Sequence, residues 1–385
     1  MLLAAACGLI VANLYYAQPL AGPIAAELGM SATASGLIVT MTQMGYCAGL
    51  LLLVPLADLV ENRALIVRLT TLAAVALMIA AVASGPGLFL LAALLIGLFS
   101  VAVQVLVPLA AHLAPAAIRG RVVGSVMSGL MLGIMLARPV SSLVAHVLSW
   151  HAIFLISAAL MIGMALILRG SLPTRTPTAR HTYGELLLSM WHLLAGTRVL
   201  QRRAFYHACM FGAFSLFWTV TPMVLAGPRF QLSQVGIAVF ALLGVSGALM
   251  APVAGRMADR GWIFGGTIMA MLMAAGAFVL TWMVPEAWLL GALTLAGIVL
   301  DSGVAAHLVL SQRVLYGLPA EHRSRLNGLF MALFFLGGAA GSALGAWSFV
   351  EGGWRLASML AVGLVVLGLG GCLTERLGAD RLARG

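Results

Sequence analysis

Lysine is absent from all 385 residues, so the 21 basic side chains are arginines. Charge of either sign is scarce: 8% of the chain is charged, against roughly 25% in an ordinary soluble domain. A large soluble core needs a charged exterior, so this scarcity excludes one, and it excludes disorder, collagen and coiled coil as well. Cysteine is limited to Cys7, Cys47, Cys209 and Cys372, none of them in a C-x-x-C pair. That excludes a disulfide framework and a zinc site, leaving small apolar fillers. No P-loop, metal-ligand cluster or catalytic triad stands out, so no cofactor is expected and an enzyme is disfavoured. Nor does a positively charged leader with a cleavage site precede MLLAAACGLIVANLYY, which is therefore expected to be a membrane span kept in the mature protein.

What is present is apolar, 62% of the residues. Polar or turn-forming breaks divide the chain into twelve segments near the length of about 20 residues that crosses a bilayer as a helix. They run over 2–26, 34–57, 64–83, 87–113, 122–147 and 152–169, then 204–226, 233–257, 263–284, 288–312, 326–350 and 355–374. Segments this long lack the alternation of a membrane strand, and open sheet edges cannot face lipid, so helices are required.

With the N-terminus placed inside, every arginine except Arg138, Arg229 and Arg355 falls on an inside connection or the tail, Arg203 among them. Glu27, Glu286 and Glu351 fall outside. The positive charge is thus an orientation signal for a bilayer protein with both termini cytoplasmic, not a nucleic-acid footprint. Short loops and the arginine-for-lysine bias point to a bacterial inner membrane. The connection 170–203 contains Pro173, Pro177 and an amphipathic stretch from Tyr183 to Ala195, expected along the inner membrane surface. It reads as a linker between two halves, with a regulatory role as the alternative.

An internal repeat supports those halves. An offset of 204 residues sets Arg119, Arg121, Gly124, Met127, Leu132 and Gly133 on Arg323, Arg325, Gly328, Met331, Leu336 and Gly337, and Trp150 on Trp354. An offset of 201 superimposes Ala57-Asp58 on Ala258-Asp259.

Two loops carry a family likeness. Gly255-Arg256-Met257-Ala258-Asp259-Arg260-Gly261 matches the signature glycine-x-leucine-alanine-aspartate-arginine-x-glycine, with methionine for leucine. The first copy keeps Leu56, Ala57 and Asp58 before Arg63 but lacks both glycines. The chain resembles a major facilitator superfamily transporter over essentially its whole length. The resemblance implies an all-α integral membrane fold of 12 transmembrane helices in two pseudo-symmetric bundles, 1–169 and 204–385, joined by the linker 170–203. It also implies conformational latches at Asp58, Arg63, Asp259 and Arg260, with Asp58 against the start of the eleventh span near Asn327 and Asp259 against the fifth near Val122. Loop acids that merely set topology are the alternative reading.

The phrase Asn13-Leu14-Tyr15-Tyr16-Ala17-Gln18-Pro19 resembles a group of bacterial exporters close to the drug:proton antiporters of type 1. Asn13 and Tyr16 share a helix face, as do Tyr15 and Gln18; lining a cavity and packing on a neighbouring helix both remain open. In the fifth span, Gly133 to Ser142 holds Arg138-Pro139 where antiporters of the superfamily carry glycine-proline. An arginine at that depth costs at least about 2.5–3.5 kcal/mol and is rarely left facing lipid, so Arg138 is expected to face a central cavity rather than snorkel.

Asp301 is the one acid placed well inside a span. A carboxyl there is neutral when desolvated and ionised when watered or facing arginine, which makes it the proton-carrier candidate, with Arg138 as its modulator. A structural ion pair is the alternative. His307, six residues on, faces another side of the helix and reads as a core histidine or a further cavity group. The fourth span has Ala93 where relatives carry a proton-linked arginine, and Gln104 is the main polar group nearby. In the seventh span His207, Phe211, Phe214, Trp218 and Thr221 recur at helical spacing, a stripe suited to flat ligands or to helix packing.

The expected protein is therefore a monomeric secondary transporter coupling protons to export of small amphipathic molecules. Its expected substrate contacts are Arg138, Asn13, Tyr16, Gln104, Phe211, Phe214, Trp218 and His307. Symport of organic anions is a second reading; a transport-dead receptor or membrane-embedded enzyme comes from another class.

Overall fold

The computed structural model describes residues 1–115, 118–177, 182–319 and 322–382, and every regular element among them is helical. Arg180 and Arg384, assigned above to inside segments, lie outside the described residues. Helices follow from the solvent: in hydrocarbon each backbone N–H and C=O must be satisfied within its own segment. Among the described residues ten stretches are long and apolar enough to cross a bilayer. They match the expected segments to within a few residues once two irregularities are recognised.

The first irregularity is in the opening span, where one helix was expected over 2–26. Instead α1 (Leu2–Ala12) ends, residues 13–20 form tight turns, and α2 (Ala21–Glu27) resumes. Leu14, Tyr15, Gln18 and Leu20 donate their N–H groups to carbonyls three residues back. Pro19 explains the break, because it has no N–H to donate and disfavours helical backbone at Gln18. All eight turn residues are buried, the condition under which irregular backbone survives at membrane depth.

The second irregularity is in the longest element, α15 (Arg323–Leu382). It breaks at Gly352 and at Gly353, whose φ of +62° favours glycine. The eleventh and twelfth spans lie on either side, which restores the expected count of twelve.

The chain divides into two compact units. The first comprises Met1–Trp191 and Pro222–Leu242. It contains α3 (Gly36–Leu52), α4 (Asn62–Ala81), α5 (Pro86–Phe99), α6 (Ala102–Leu113), α7 (Arg119–Val147) and α8 (Trp150–Ser171). It also takes most of the linker helix α9 (Tyr183–Gly196), the end of α10 (Arg198–Ala226) and α11 (Gln234–Ala241), which packs on α7. With no hydrophobic drive between helices in lipid, close approach of bare backbone decides the packing. A Cβ on Gly129 would collide with the backbone of Ala4, and one on Gly133 with that of Gly8, so α1 and α7 meet there along glycine. Gly45 and Gly97 do the same for α3 and α5.

The second unit comprises His192–Thr221 and Leu243–Gly385, with most of α10, then α12 (Val245–Asp259), α13 (Ile263–Met283), α14 (Leu289–Tyr316) and α15. Here a Cβ on Gly337 would meet Ala208, and one on Gly341 would meet Gly212, so α10 and α15 cross on the same pattern. One expectation fails in this unit. Arg203, counted above as a loop residue, lies one turn inside α10, 5% exposed, with Nη1 donating to Thr267 Oγ1 at 3.0 Å. The helix begins six residues before the apolar run, and its first turns carry the polar side chains.

Candidate functional site

Each unit buries an ionisable residue at membrane depth, Arg138 in the first and Asp301 in the second. In the first unit Arg138 sits on α7, 2% exposed, so it does not face lipid. Its Nε donates to Gln18 Oε1 at 2.7 Å, and its guanidinium carbon stands 5.0 Å above the Tyr15 ring. The broken first span supplies both partners from its turn. A hydrogen bond to a charged group contributes about 1.5–3 kcal/mol and a desolvated cation–π contact about 2 kcal/mol. Those contacts are of the same order as the cost of placing the arginine there, so the site holds its charge without snorkelling. Pro139 leaves the α7 ladder one donor short, and Ser141 Oγ donates to the Arg138 carbonyl at 2.9 Å.

The other polar residues expected in this half bond to neighbouring helices. Asn13 Oδ1 accepts from Ser157 Oγ on α8 at 2.6 Å, and Gln104 Nε2 donates to Tyr46 Oη on α3 at 2.8 Å. Tyr16 is buried beside them and Ala93 is buried on α5.

In the second unit Asp301, 5% exposed on α14, accepts at Oδ1 from Trp218 Nε1 on α10 at 2.9 Å. The seventh-span stripe is continuous: ring centroids separate His207 from Phe211 by 6.3 Å, Phe211 from Phe214 by 5.3 Å, and Phe214 from Trp218 by 6.5 Å. Thr221 is buried at the next position. Phe334 and Phe335 of α15 close on Phe211 at 4.9 and 5.1 Å, so part of the stripe serves helix packing. His307 reaches His207, Nδ1 to Nδ1 2.9 Å. Among the described residues no cluster of three His, Cys, Asp or Glu side chains is suited to a metal ion.

The signature loops are built differently. In the first, the turn Val54–Asp58 leaves Asp58 exposed, and Glu61 caps α4 by accepting from the N–H groups of Arg63 and Ala64, both at 2.8 Å. Glu61 also accepts from Arg175 N at 3.3 Å, while Arg63 Nη1 donates to Leu172 O at 3.4 Å, so the start of the linker is tied to this loop. Partial burial tends to raise the Glu61 carboxyl, but the three backbone donors and the Arg63 charge outweigh it and hold the group below its ordinary value. In the second loop Gly261 turns the chain at φ +80°, Arg260 is exposed, and Asp259 pairs with Arg313 at 3.1 Å, both largely exposed. An exposed pair of this kind contributes about 0–1 kcal/mol.

Charge at membrane depth brought Asp301 and Arg138 to notice and periodicity the stripe, but neither revealed several partners: Gln18 and Tyr15 for Arg138, Trp218 for Asp301, Tyr46 for Gln104 and Ser157 for Asn13. Only the Arg203–His207 spacing of four, one helical turn, offered a signal for the inner end of α10.

These features define a multi-pass helical membrane protein with buried ionisable side chains in each unit. The model for the Major Facilitator Superfamily matches residues 2–315, and the chain belongs to that superfamily. It is 40% identical over 354 residues to "Uncharacterized transporter YgaY" of Escherichia coli O157:H7, covering 92% of this chain and 89% of that protein. It is 30% identical over 373 residues to "Probable transporter SCO4007" of Streptomyces coelicolor, covering 95% and 85%. Its fold matches the crystal structure of the nucleoside transporter NupG with TM-score 0.76 at 17% identity, covering 97% of this chain and 98% of that one. The protein is a membrane transporter and not an enzyme.

Proposed function

We propose that the protein is a proton-coupled exporter of small amphipathic organic compounds, working by alternating access of two six-helix bundles, 1–169 and 204–385. It acts as a monomer in a bacterial inner membrane with both termini cytoplasmic. The observation that carries this reading is the bond between Trp218 and Asp301. An indole N–H only donates, so it holds Oδ1 whether the carboxyl is ionised or neutral. Asp301 takes a proton from outside and releases it inside in exchange for substrate. Arg138, oriented by Gln18 and Tyr15, tunes the acid or holds an anionic group of the substrate, and the stripe from Phe211 to Trp218 offers ring faces. Asp58, Arg63, Asp259 and Arg260 act as latches at the inner ends of the spans.

The buried guanidinium favours a second reading, uptake of organic anions by proton symport with Arg138 as the carboxylate clamp. A thermal-shift screen of metabolites and antibiotics on the purified protein supplies the compound, and proteoliposomes decide the direction. An inside-acid gradient draws an exporter's substrate into the vesicle by exchange, whereas a symporter carries it out. No response to the gradient in either direction overturns proton coupling.

A further inference from the structure

The rings of His207 and His307 lie 6° from parallel with their Nδ1 atoms 2.9 Å apart. Both residues are sealed, 1% and 0% exposed. Phe330 at 5.5 Å and Phe334 at 4.8 Å from the His207 ring wall the pair, and Ser311 Oγ lies 3.4 Å from His307 Nδ1.

Two ring nitrogens at that distance need one proton between them. A neutral pair holds two protons, one in the bridge and one on Nε2 of the accepting ring, so Nε2 of the donating ring carries a bare lone pair. His307 Nε2 is buried and has no hydrogen-bond partner. Orphaned buried N–H groups are rarer than under-satisfied acceptors, which makes His307 the bridging donor and its Nε2 the bare, basic atom.

We propose that His207 and His307 form a second proton-binding site, distinct from Asp301, which takes up one proton on His307 Nε2 when water reaches the interior of the second unit. The N–H bond forms on that lone pair as an O–H bond of a hydronium ion in the entering water breaks, leaving water behind. The bridge then joins an imidazolium to an imidazole and gains the strength of a charge-assisted bond. A dry wall of phenylalanine opposes that charge and hydration favours it, so protonation and opening of the unit favour one another. The charged and titratable groups on the elements packed around the pair fit a site held neutral while closed. On α10 Arg203 stands one turn from His207, with Tyr206 and Cys209 beside it; on α14 Asp301 lies six residues before His307. From α13 comes Thr267, and from α15 Glu375, 4.0 Å from Arg203 and accepting from Tyr206 at 3.3 Å, which balances the arginine charge.

The inference leans on the transport reading only for the entry of water. It is tested by nitrogen NMR of the full chain, labelled with ¹⁵N-histidine, in lipid nanodiscs between pH 8 and pH 5. Wild type should show one bridged pair with complementary tautomers that takes up one proton in a single joint transition. His207→Asn and His307→Asn should each lose the joint transition, and Asp301→Asn should keep it. If either asparagine variant fails to fold, the wild-type titration alone decides. A pair that stays neutral throughout, or a remaining histidine that titrates unchanged in a single variant, overturns the proposal. Loss of proton-driven flux in Asp301→Asn beside a pair that never titrates removes this site and leaves the Asp301 reading intact. A titrating pair beside unchanged flux in Asp301→Asn does the reverse.

Discussion

The two units share a frame but fill it with different chemistry. In each, the first helix of the repeat presents alanine and glycine one turn apart, Ala4 and Gly8 or Ala208 and Gly212, to glycine on the fifth. The offset of 204 maps the first helices onto each other, whereas the glycines they meet, Gly129 and Gly133 against Gly337 and Gly341, are offset by 208, a slip of one helical turn. The polar positions do not repeat. Arg138 maps onto Ser342, which shares a 3.0 Å hydrogen bond with Thr219, and Asp301 maps onto Gly97, where α5 touches the backbone of α3. Duplication thus preserved the close contacts that hold helices together in lipid, while Arg138 and Asp301 occur once each, in different units.

The largest expected effects come from breaking that division. Asp301→Asn keeps an Oδ1 acceptor for Trp218 and removes the titratable oxygen, so gradient-driven transport in proteoliposomes should fall to background while counterflow persists. Unchanged gradient-driven flux would remove Asp301 from the mechanism. Arg138→Ala should weaken anionic compounds most, by about 10- to 150-fold in binding, the equivalent of about 1.5–3 kcal/mol for a charge-assisted hydrogen bond. Arg138→Lys should recover only part of this, because an ammonium cannot offer the planar fork that meets Gln18 Oε1 while covering the Tyr15 ring. Equal losses for neutral and anionic compounds would make Arg138 structural.

Which parts of this were legible in the sequence depends on range. The spans were, because hydropathy is a local sum, and so was the burial of Arg138 and Asp301, because lipid makes exposure costly. Partners across helices were not. Whether Gln18 meets Arg138 depends on the rotation of both helices about their axes, and one sequence leaves that angle open. The break in the first span was signalled by Pro19, yet the apolar residues around it mask a turn in any hydropathy window. Arg203 was assigned to a loop because polar residues in a first helical turn look the same as a linker.

Smaller effects test whether the frames are equivalent. Gly133→Ala and Gly341→Ala each place a methyl group on facing backbone, at Gly8 and Gly212, and backbone cannot rotate away as a side chain can. Each should cost about 1–3 kcal/mol of thermal stability in detergent, the range for overpacking. Gly124→Ala, with open space around its Cβ, should stay within about 0.5 kcal/mol. A large difference between Gly133→Ala and Gly341→Ala would mean that one unit carries the stability of both.

The smallest effect separates the two signature loops. Glu61 caps α4 through its carboxylate, whereas Trp262 at the matching start of α13 makes no side-chain cap. Because the folded carboxyl titrates below its ordinary value of 4.5, its stabilisation is complete above that pH and is lost as pH falls through the lower folded value. Below about pH 4.5 hydrogen exchange, corrected for intrinsic rates, should therefore rise at the start of α4 and at Arg175, which Glu61 also holds, and not at the start of α13. Glu61→Gln should remove most of that pH dependence, and Glu61→Ala should cost about 0.5 kcal/mol, the low end for an N-cap because the group is half exposed and screened. If α4 and α13 loosened together with falling pH, the cap would be passive and the linker would be held by the Arg63 bond to Leu172.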